Sequence, residues 1–492
     1  MVLNITALVL FFAMVTGIGI WGMRRTKTLG EFFLGGRTAG PWVSAFAYGS
    51  SYFSAVMVIG FAGTQGWLFG MNVLWIAVGN AVIGSLLAWL VLGRRTRLQT
   101  QALDAMTMPE YLQQRYGARH LKPIAASIIF LFLLPYSASI FKGLGYLFEA
   151  VFHIPFEVAL LLMVAFTGVY LILGGYFAVV TIDFIQGILM IAGALAMFAY
   201  ILIAGNAEIG AAEGGLGKLI DAINQRYAEH IPESSQPSVL TIVSLVFMTS
   251  FGTWGLPQMT QKFYAIKNEK VIPRAAIACT VFAGLVGLTA YFVGGSSHVF
   301  FTPETLPRFA NGGINFDRIV PDLIVGRLPP PLIALIMLFV LSASMSTLSS
   351  LVMISASSVA IDLYPVPAGA VTNKDRSTAM IRFLSLIFII ISYFLSRFQI
   401  GFIVTLMSLS WGAVSGAFAA PYILGLYCKK MTKAGAYCGL FAGVACEIAL
   451  FIAGVPGPLT ASIAILVPFV VVPVVSLFTK PVDGDIIERT FA

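Results

Sequence analysis

Long apolar runs alternate with short polar breaks along almost the whole chain. A helix needs about 20 apolar residues to cross the roughly 30 Å hydrocarbon core of a bilayer. Thirteen runs meet that need, at about 3–23, 41–66, 68–92, 123–151, 156–173, 178–204, 239–266, 272–298, 329–363, 377–396, 400–425, 433–454 and 459–478. They predict an all-α integral membrane protein, because in lipid each helix satisfies its own backbone. The run at 329–363 differs from the rest. It carries the stretch SASMSTLSS, with Ser342, Ser344, Ser346, Thr347, Ser349 and Ser350. Hydroxyls at membrane depth must bond to backbone, another helix, water or an ion. On a helix, positions 343, 346, 347 and 350 share one face. Neutral oxygens on one face suit a small hard cation, and small hydroxyl residues equally let helices pack closely.

Two other runs are interrupted at mid-depth. The run at 41–66 contains Gly49, Ser50 and Ser51, and that at 239–266 contains Gly252, Gly255 and Pro257. Gly and Pro weaken helices and free backbone groups. Irregular backbone is tolerated in a membrane only when it is buried in protein or lines a cavity. The two runs are five spans apart. Five is odd, so the second copy enters the membrane upside down. Interrupted helices at matching places in two halves point to a transporter and to its binding site.

Composition agrees with the pattern. The chain has 492 residues, 59% hydrophobic and 10% charged, a balance of the membrane class. Arg24, Arg25 and Lys27 follow the first run and no basic residue precedes it, so that run reads as a retained helix with its N-terminus outside. Threading from there puts most Lys and Arg inside, among them Arg94, Arg95, Arg97, Lys267, Lys270, Lys374, Arg376, Lys429 and Lys430, with the C-terminus inside as well. The net charge of +8 therefore reflects topology and not a nucleic-acid footprint, which would cluster. The loops at about 205–238 and 299–328 are expected outside, as lids or linkers. Four cysteines, Cys279, Cys428, Cys438 and Cys446, show no metal spacing. The four histidines are scattered, and no HExxH or Walker motif is present. An enzyme or a channel is therefore disfavoured, and no obligate protein partner is evident.

Several stretches resemble the sodium/solute symporter family, in particular its bacterial proline and pantothenate symporters. They are EFFLGGRTAGPWVSAFAYGSS after the first run, TMPEYLQQRYG, GGYFAVVTIDFIQG, and SMSTLSS followed by DLY. The resemblance implies a LeuT-type fold of five plus five inverted helices. Residues 1–40 would form an extra helix and cytoplasmic loop, 41–204 the first repeat and 205–238 an extracellular loop. Residues 239–425 would form the second repeat, and 426–492 two further helices and a short cytoplasmic tail. It also implies Na+ as coupling ion in a cell (inner or plasma) membrane protein. The implied ligands are the carbonyls of Ser50, Phe53 and Ala343 and the hydroxyls of Ser346 and Thr347. In some members an acid holds a second sodium; here that is Asp183, facing Ser346, Ser349 and Ser350. Ser342 and Ser344 are left to packing.

The solute is expected to be small and to carry a carboxylate, with proline or another amino acid ahead of pantothenate or a short monocarboxylate. Proton coupling is the alternative to sodium. Tyr52 stands where proline-transporting members carry Asp, and pantothenate-type members have Tyr there. Val56 and Met57 replace the Glu-Gln pair of sugar-transporting members. Tyr52, Phe53, Tyr136, Thr249, Thr253, Trp254 and Pro257 are the expected solute contacts. Lys142, inside a span, is expected to meet a substrate carboxylate, to pair with Glu149 or to snorkel. Lys262 is expected to snorkel from the inner end of its helix.

Overall fold

Proline opens several of the helices, where its missing N–H costs nothing, and left-handed residues close others. The computed structural model describes residues 2–25, 34–173, 176–363, 374–398 and 401–491. Lys27, positions 31–33, Gly174, Gly175 and Tyr364 lie outside the described residues, as do the side chains of Arg24, Arg25, Tyr176, Phe177, Ala178, Lys374 and Arg376. Helix α1 (Val2–Arg25) is followed by α2 (Pro41–Tyr52), with Pro41 in its first turn. A π-helical turn at Val56–Phe61 leads into α3 (Ala62–Phe69). Next come α4 (Leu74–Gly79), a second π-helical stretch at Asn80–Leu87, and α5 (Ala88–Ala102). The 47 residues of Val56–Ala102 would reach about 70 Å as one straight helix. They are interrupted at Gly70, whose φ of 54° favours glycine.

Helix α6 (Met108–Tyr116) starts with a reciprocal cap. Thr107 Oγ1 accepts from Glu110 N at 3.2 Å and Glu110 accepts from Met106 N at 2.9 Å. Gly117 ends it at φ 60°. The long spans α7 (Leu121–Phe152), α8 (Phe156–Leu173) and α9 (Tyr176–Glu208) follow. The outer segment expected as a loop contains α10 (Gly215–His230), which buries Leu219 and Ile223. The second half comprises α11 (Val239–Ser250), a 3₁₀ turn at Phe251–Gly255, α12 (Pro257–Tyr264), α13 (Ile272–Gly295), the short α14 (Ser297–Phe300) and α15 (Ile319–Arg327). Then come α16 (Pro330–Ser357), continued by a π-helical turn at Ser358–Leu363, α17 (Lys374–Arg397), α18 (Ile403–Tyr427), α19 (Lys433–Ile452), α20 (Gly457–Leu477) and α21 (Gly484–Phe491).

Among the described residues ten helices are long and apolar enough to cross a membrane, and the pair Val239–Gly255 and Pro257–Tyr264, bent by 48°, makes an eleventh. Their outer faces expose Leu90, Leu131, Leu161, Ile203, Ile277 and Phe451, as a lipid-facing surface does. The serine-bearing α16 lies at the centre, packed by α9, α7, α2 and α17, and every residue from Phe339 to Ser357 is buried. Glycines set the closest approaches: a Cβ on Gly66 of α3 would strike the backbone of Gly294 on α13, and one on Gly443 of α19 would strike Gly416 on α18.

The interruption in the first half is not where its glycine and serines suggest. Gly49, Ser50 and Ser51 stay helical, and the chain opens at Phe53 (φ −106°, ψ 143°) and Ser54. No glycine or proline is needed there, because α16 supplies partners for the freed groups. In the second half the break follows the sequence: Leu256 is extended and Pro257 starts the lower helix.

Candidate ion and solute site

The opened backbone of α2 lies against the hydroxyl face of α16. Thr347 Oγ1 is 3.0 Å from the carbonyl of Phe53, 3.2 Å from that of Ser51 and 3.0 Å from that of Ala343. One hydroxyl has a single proton to donate, so three converging carbonyls leave an excess of acceptor oxygen. Ser346 Oγ donates to Ser50 Oγ at 2.8 Å and lies 3.5 Å from Ser51 Oγ. An excess of neutral oxygens around one point, closed to water, is a donor set for a hard monovalent cation. Ser50 joins this cluster through its hydroxyl, and the neighbouring carbonyl that meets Thr347 belongs to Ser51. Ser344 also bonds across the interface: its hydroxyl accepts from Ala55 N at 2.9 Å while donating to Val340 O. It thus meets a backbone donor freed by the break.

Asp183 on α9 and Ser350 on α16 do come together, but a lysine stands with them. Lys262 Nζ lies 3.1 Å from Ser350 Oγ and 3.5 Å from Asp183 Oδ2, and both charged side chains are fully buried. Lys262 therefore does not snorkel; its helix is buried along its whole length and holds the ammonium in the interior. Ser349 donates to the carbonyl of Ser346 in its own helix. Ser350 Oγ is also 3.1 Å from Ser51 Oγ, so hydroxyls link the Lys262 ammonium to the Thr347 cluster.

Above the break is a cavity of about 20 Å³, lined by Tyr52, Phe53, Ser54, Val56, Met57, Phe61, Asn80, Tyr136, Thr249, Tyr291, Met407 and Trp411. That is room for about one water, so a solute enters only when the surrounding helices part. Tyr52 bridges the two interrupted helices, donating to the carbonyl of Thr249 at 2.6 Å. Tyr136 meets Trp411 edge to face at 5.6 Å. Thr253, Trp254 and Pro257 stand outside the lining. Thr253 donates to Ser250 O, and Trp254 Nε1 donates to Ile83 O while its ring packs on Phe251. Asn80, Tyr291, Met407 and Trp411 reach the cavity from spans that carry no local signal of a site.

Comparison with known proteins places this arrangement. The signature of the sodium:solute symporter family matches residues 32–443. The chain belongs to that family. It is 28% identical over 457 residues to sodium/proline symporter 2 of Staphylococcus saprophyticus, covering 89% of this chain and 83% of that protein. It is 29% identical over 455 residues to the osmoregulated proline transporter OpuE of Bacillus subtilis, covering 90% and 87%. In structure it is similar to a Na+-coupled sialic acid symporter in a substrate-bound outward-open state, with a TM-score of 0.77 over 98% of each chain at 16% identity; that likeness concerns the fold, which is of the LeuT type. Membership makes this a multi-pass plasma-membrane transporter of a small solute and not an enzyme, with Na+ as the implied coupling ion.

Elsewhere in the symporter, Lys142 forms a second buried pair. Its ammonium is 2.9 Å from Asp317 Oδ2 and 2.7 Å from the carbonyl of Gly401. The same Asp317 oxygen accepts from Ile403 N at the start of α18, at 3.3 Å. Lys142 therefore neither snorkels nor meets Glu149, which pairs with Arg318 at 3.3 Å. Its partner is 175 residues away in sequence, beyond the reach of helical spacing. Two histidines also meet. His298 Nε2 lies 2.8 Å from the carbonyl of Trp67 and His230 Nδ1 lies 3.1 Å from His298 Nδ1. A carbonyl only accepts, so His298 carries its proton on Nε2 and His230 donates to its Nδ1, an assignment inferred from the network.

Proposed function

We propose that this symporter carries proline, or another small amino acid, into the cell together with Na+. The neutral lining of the cavity between Tyr52 and Trp411 supports that solute class. No lining residue is charged, so a zwitterion with balanced charge enters without leaving a buried ion unpaired. The names of the two bacterial relatives support proline first. In this reading Na+ sits among the carbonyls of Phe53 and Ala343 and the hydroxyls of Ser346 and Thr347, with the Ser50 hydroxyl and the Ser51 carbonyl completing the set. Tyr52, Phe53, Tyr136 and Thr249 touch the solute, with Trp411 as an added wall; Thr253, Trp254 and Pro257 then act by shaping the second break. Thirteen crossings arranged as two inverted repeats, 41–204 and 239–425, fit the two breaks and the 48° bend. In this arrangement the N-terminus is outside and the C-terminus inside. Neutral ligands bind the ion loosely enough for release on each cycle.

Labelled proline uptake into proteoliposomes, with and without an inward sodium gradient, tests the proposal. Sodium-driven accumulation is expected, and the double variant Ser346→Ala with Thr347→Ala should lose its sodium dependence. Uptake that ignores sodium, or follows a proton gradient instead, overturns the coupling. A second solute class, pantothenate or a short monocarboxylate, draws on Tyr52, which does line the cavity. Competition by these solutes where proline fails to compete decides for it.

A further inference from the structure

We infer that Lys262 acts as a built-in cation in the second ion position, so that this symporter moves a single Na+ with each solute. The inference rests on the sodium-coupled reading above and specifies its stoichiometry. A carboxylate fully buried among helices stays ionised only with a positive charge beside it, because an uncompensated buried charge is strongly destabilising. Asp183 on α9 has such a charge from Lys262, on the lower half of the second interrupted helix. The ammonium sits against one carboxylate oxygen and one serine hydroxyl, Asp183 Oδ2 at 3.5 Å and Ser350 Oγ at 3.1 Å. These are hard oxygen donors of the kind that would otherwise take a free alkali cation. The other carboxylate oxygen, Asp183 Oδ1, has no hydrogen-bond partner among the described residues. Asp183 thus has acceptor capacity to spare for an ion if the ammonium were removed.

The position is also in contact with the cluster assigned to the free ion. From Lys262 Nζ the path runs through Ser350 Oγ to Ser51 Oγ at 3.1 Å and then to Ser346 Oγ at 3.5 Å. A charge held at Asp183 is therefore linked through the hydroxyls of Ser350, Ser51 and Ser346 to the ion at Thr347. A covalently tethered ammonium supplies that charge without leaving with the solute. Na+ in the same place would be carried across on each cycle. With a zwitterionic solute the tethered arrangement moves one net charge per turnover.

Charge movement and labelled proline flux measured on the same proteoliposomes give the ratio directly. The wild-type protein is expected to move one charge per proline with a hyperbolic sodium dependence. In Lys262→Met, Asp183 is left to recruit an ion, so the ratio should rise to two and the sodium dependence become sigmoidal. Lys262→Met combined with Asp183→Asn should return the ratio to one. A wild-type ratio of two overturns the inference, as does a folded Lys262→Met protein that still moves one charge. If Lys262→Met alone does not fold, the wild-type ratio and the neutral double variant decide. Radiolabelled sodium bound to purified protein, one ion in wild type against two in Lys262→Met, counts sites without transport. A wild-type protein that binds one sodium yet transports no proline would reject the solute and leave the inference standing.

Discussion

At the scale of single residues, the buried lysines carry the most information. Lys142 and Lys262 lie in different parts of the fold, yet each has a buried carboxylate within 3.5 Å. Removing one partner of such a pair costs about 3–5 kcal/mol, while removing both is far milder. Lys142→Met should therefore lower the apparent unfolding temperature of purified protein clearly. Lys142→Met combined with Asp317→Asn should recover part of the loss. Intrinsic tryptophan fluorescence on heating follows both. Equal losses in the single and double variants would mean that packing of the lysine stem, and not its charge, holds Asp317 in place. Thr347 makes the complementary point for neutral groups. It is a lone hydroxyl among three carbonyls, and its position in the chain does not show that.

At the scale of elements, the two interrupted helices differ in how they are broken. The second is broken by its own residues, Gly252 to Pro257, and is readable from sequence. The first is opened at Phe53 and Ser54 by its neighbour, because the hydroxyls of Ser344 and Thr347 meet groups that a continuous helix would have paired internally. Close helix approach depends on glycine in the same context-bound way. Gly66 and Gly294 let α3 and α13 touch backbone to backbone, with no room for a side chain on either. Gly294→Val should push these helices apart and reduce the yield of folded protein, seen as a lost monodisperse peak in size-exclusion chromatography. Gly284→Val, where nothing lies within 4 Å on the same helix, should behave as wild type. Equal behaviour of the two variants would show that the α3–α13 contact is dispensable.

At the scale of the whole molecule, coupling means that sodium binds the folded transporter and not the unfolded chain. A ligand at 100 times its dissociation constant stabilises by about 2.7 kcal/mol. Sodium chloride should therefore raise the unfolding temperature of wild-type protein above its value in choline chloride. Thr347→Val, which keeps the shape and loses the hydroxyl, should abolish that difference. A full sodium shift in Thr347→Val would move the ion elsewhere. The amino-acid sequence by itself determined the membrane class, the all-helical character, the serine-rich helix and the second break, because these follow from hydrophobicity, propensity and motif over some 20 residues. Its family resemblance also singled out Ser346, Thr347, Tyr52 and Tyr136. Tertiary structure alone decided that Lys262 stands beside Asp183 and Ser350, that Lys142 pairs with Asp317, that the first helix opens at Phe53, and that Asn80, Tyr291 and Trp411 close the cavity. Each of these depends on groups tens to hundreds of residues apart meeting in a medium where an unpaired buried charge or freed backbone group is costly. Such pairings arise from packing in three dimensions, and no local period in the chain encodes them.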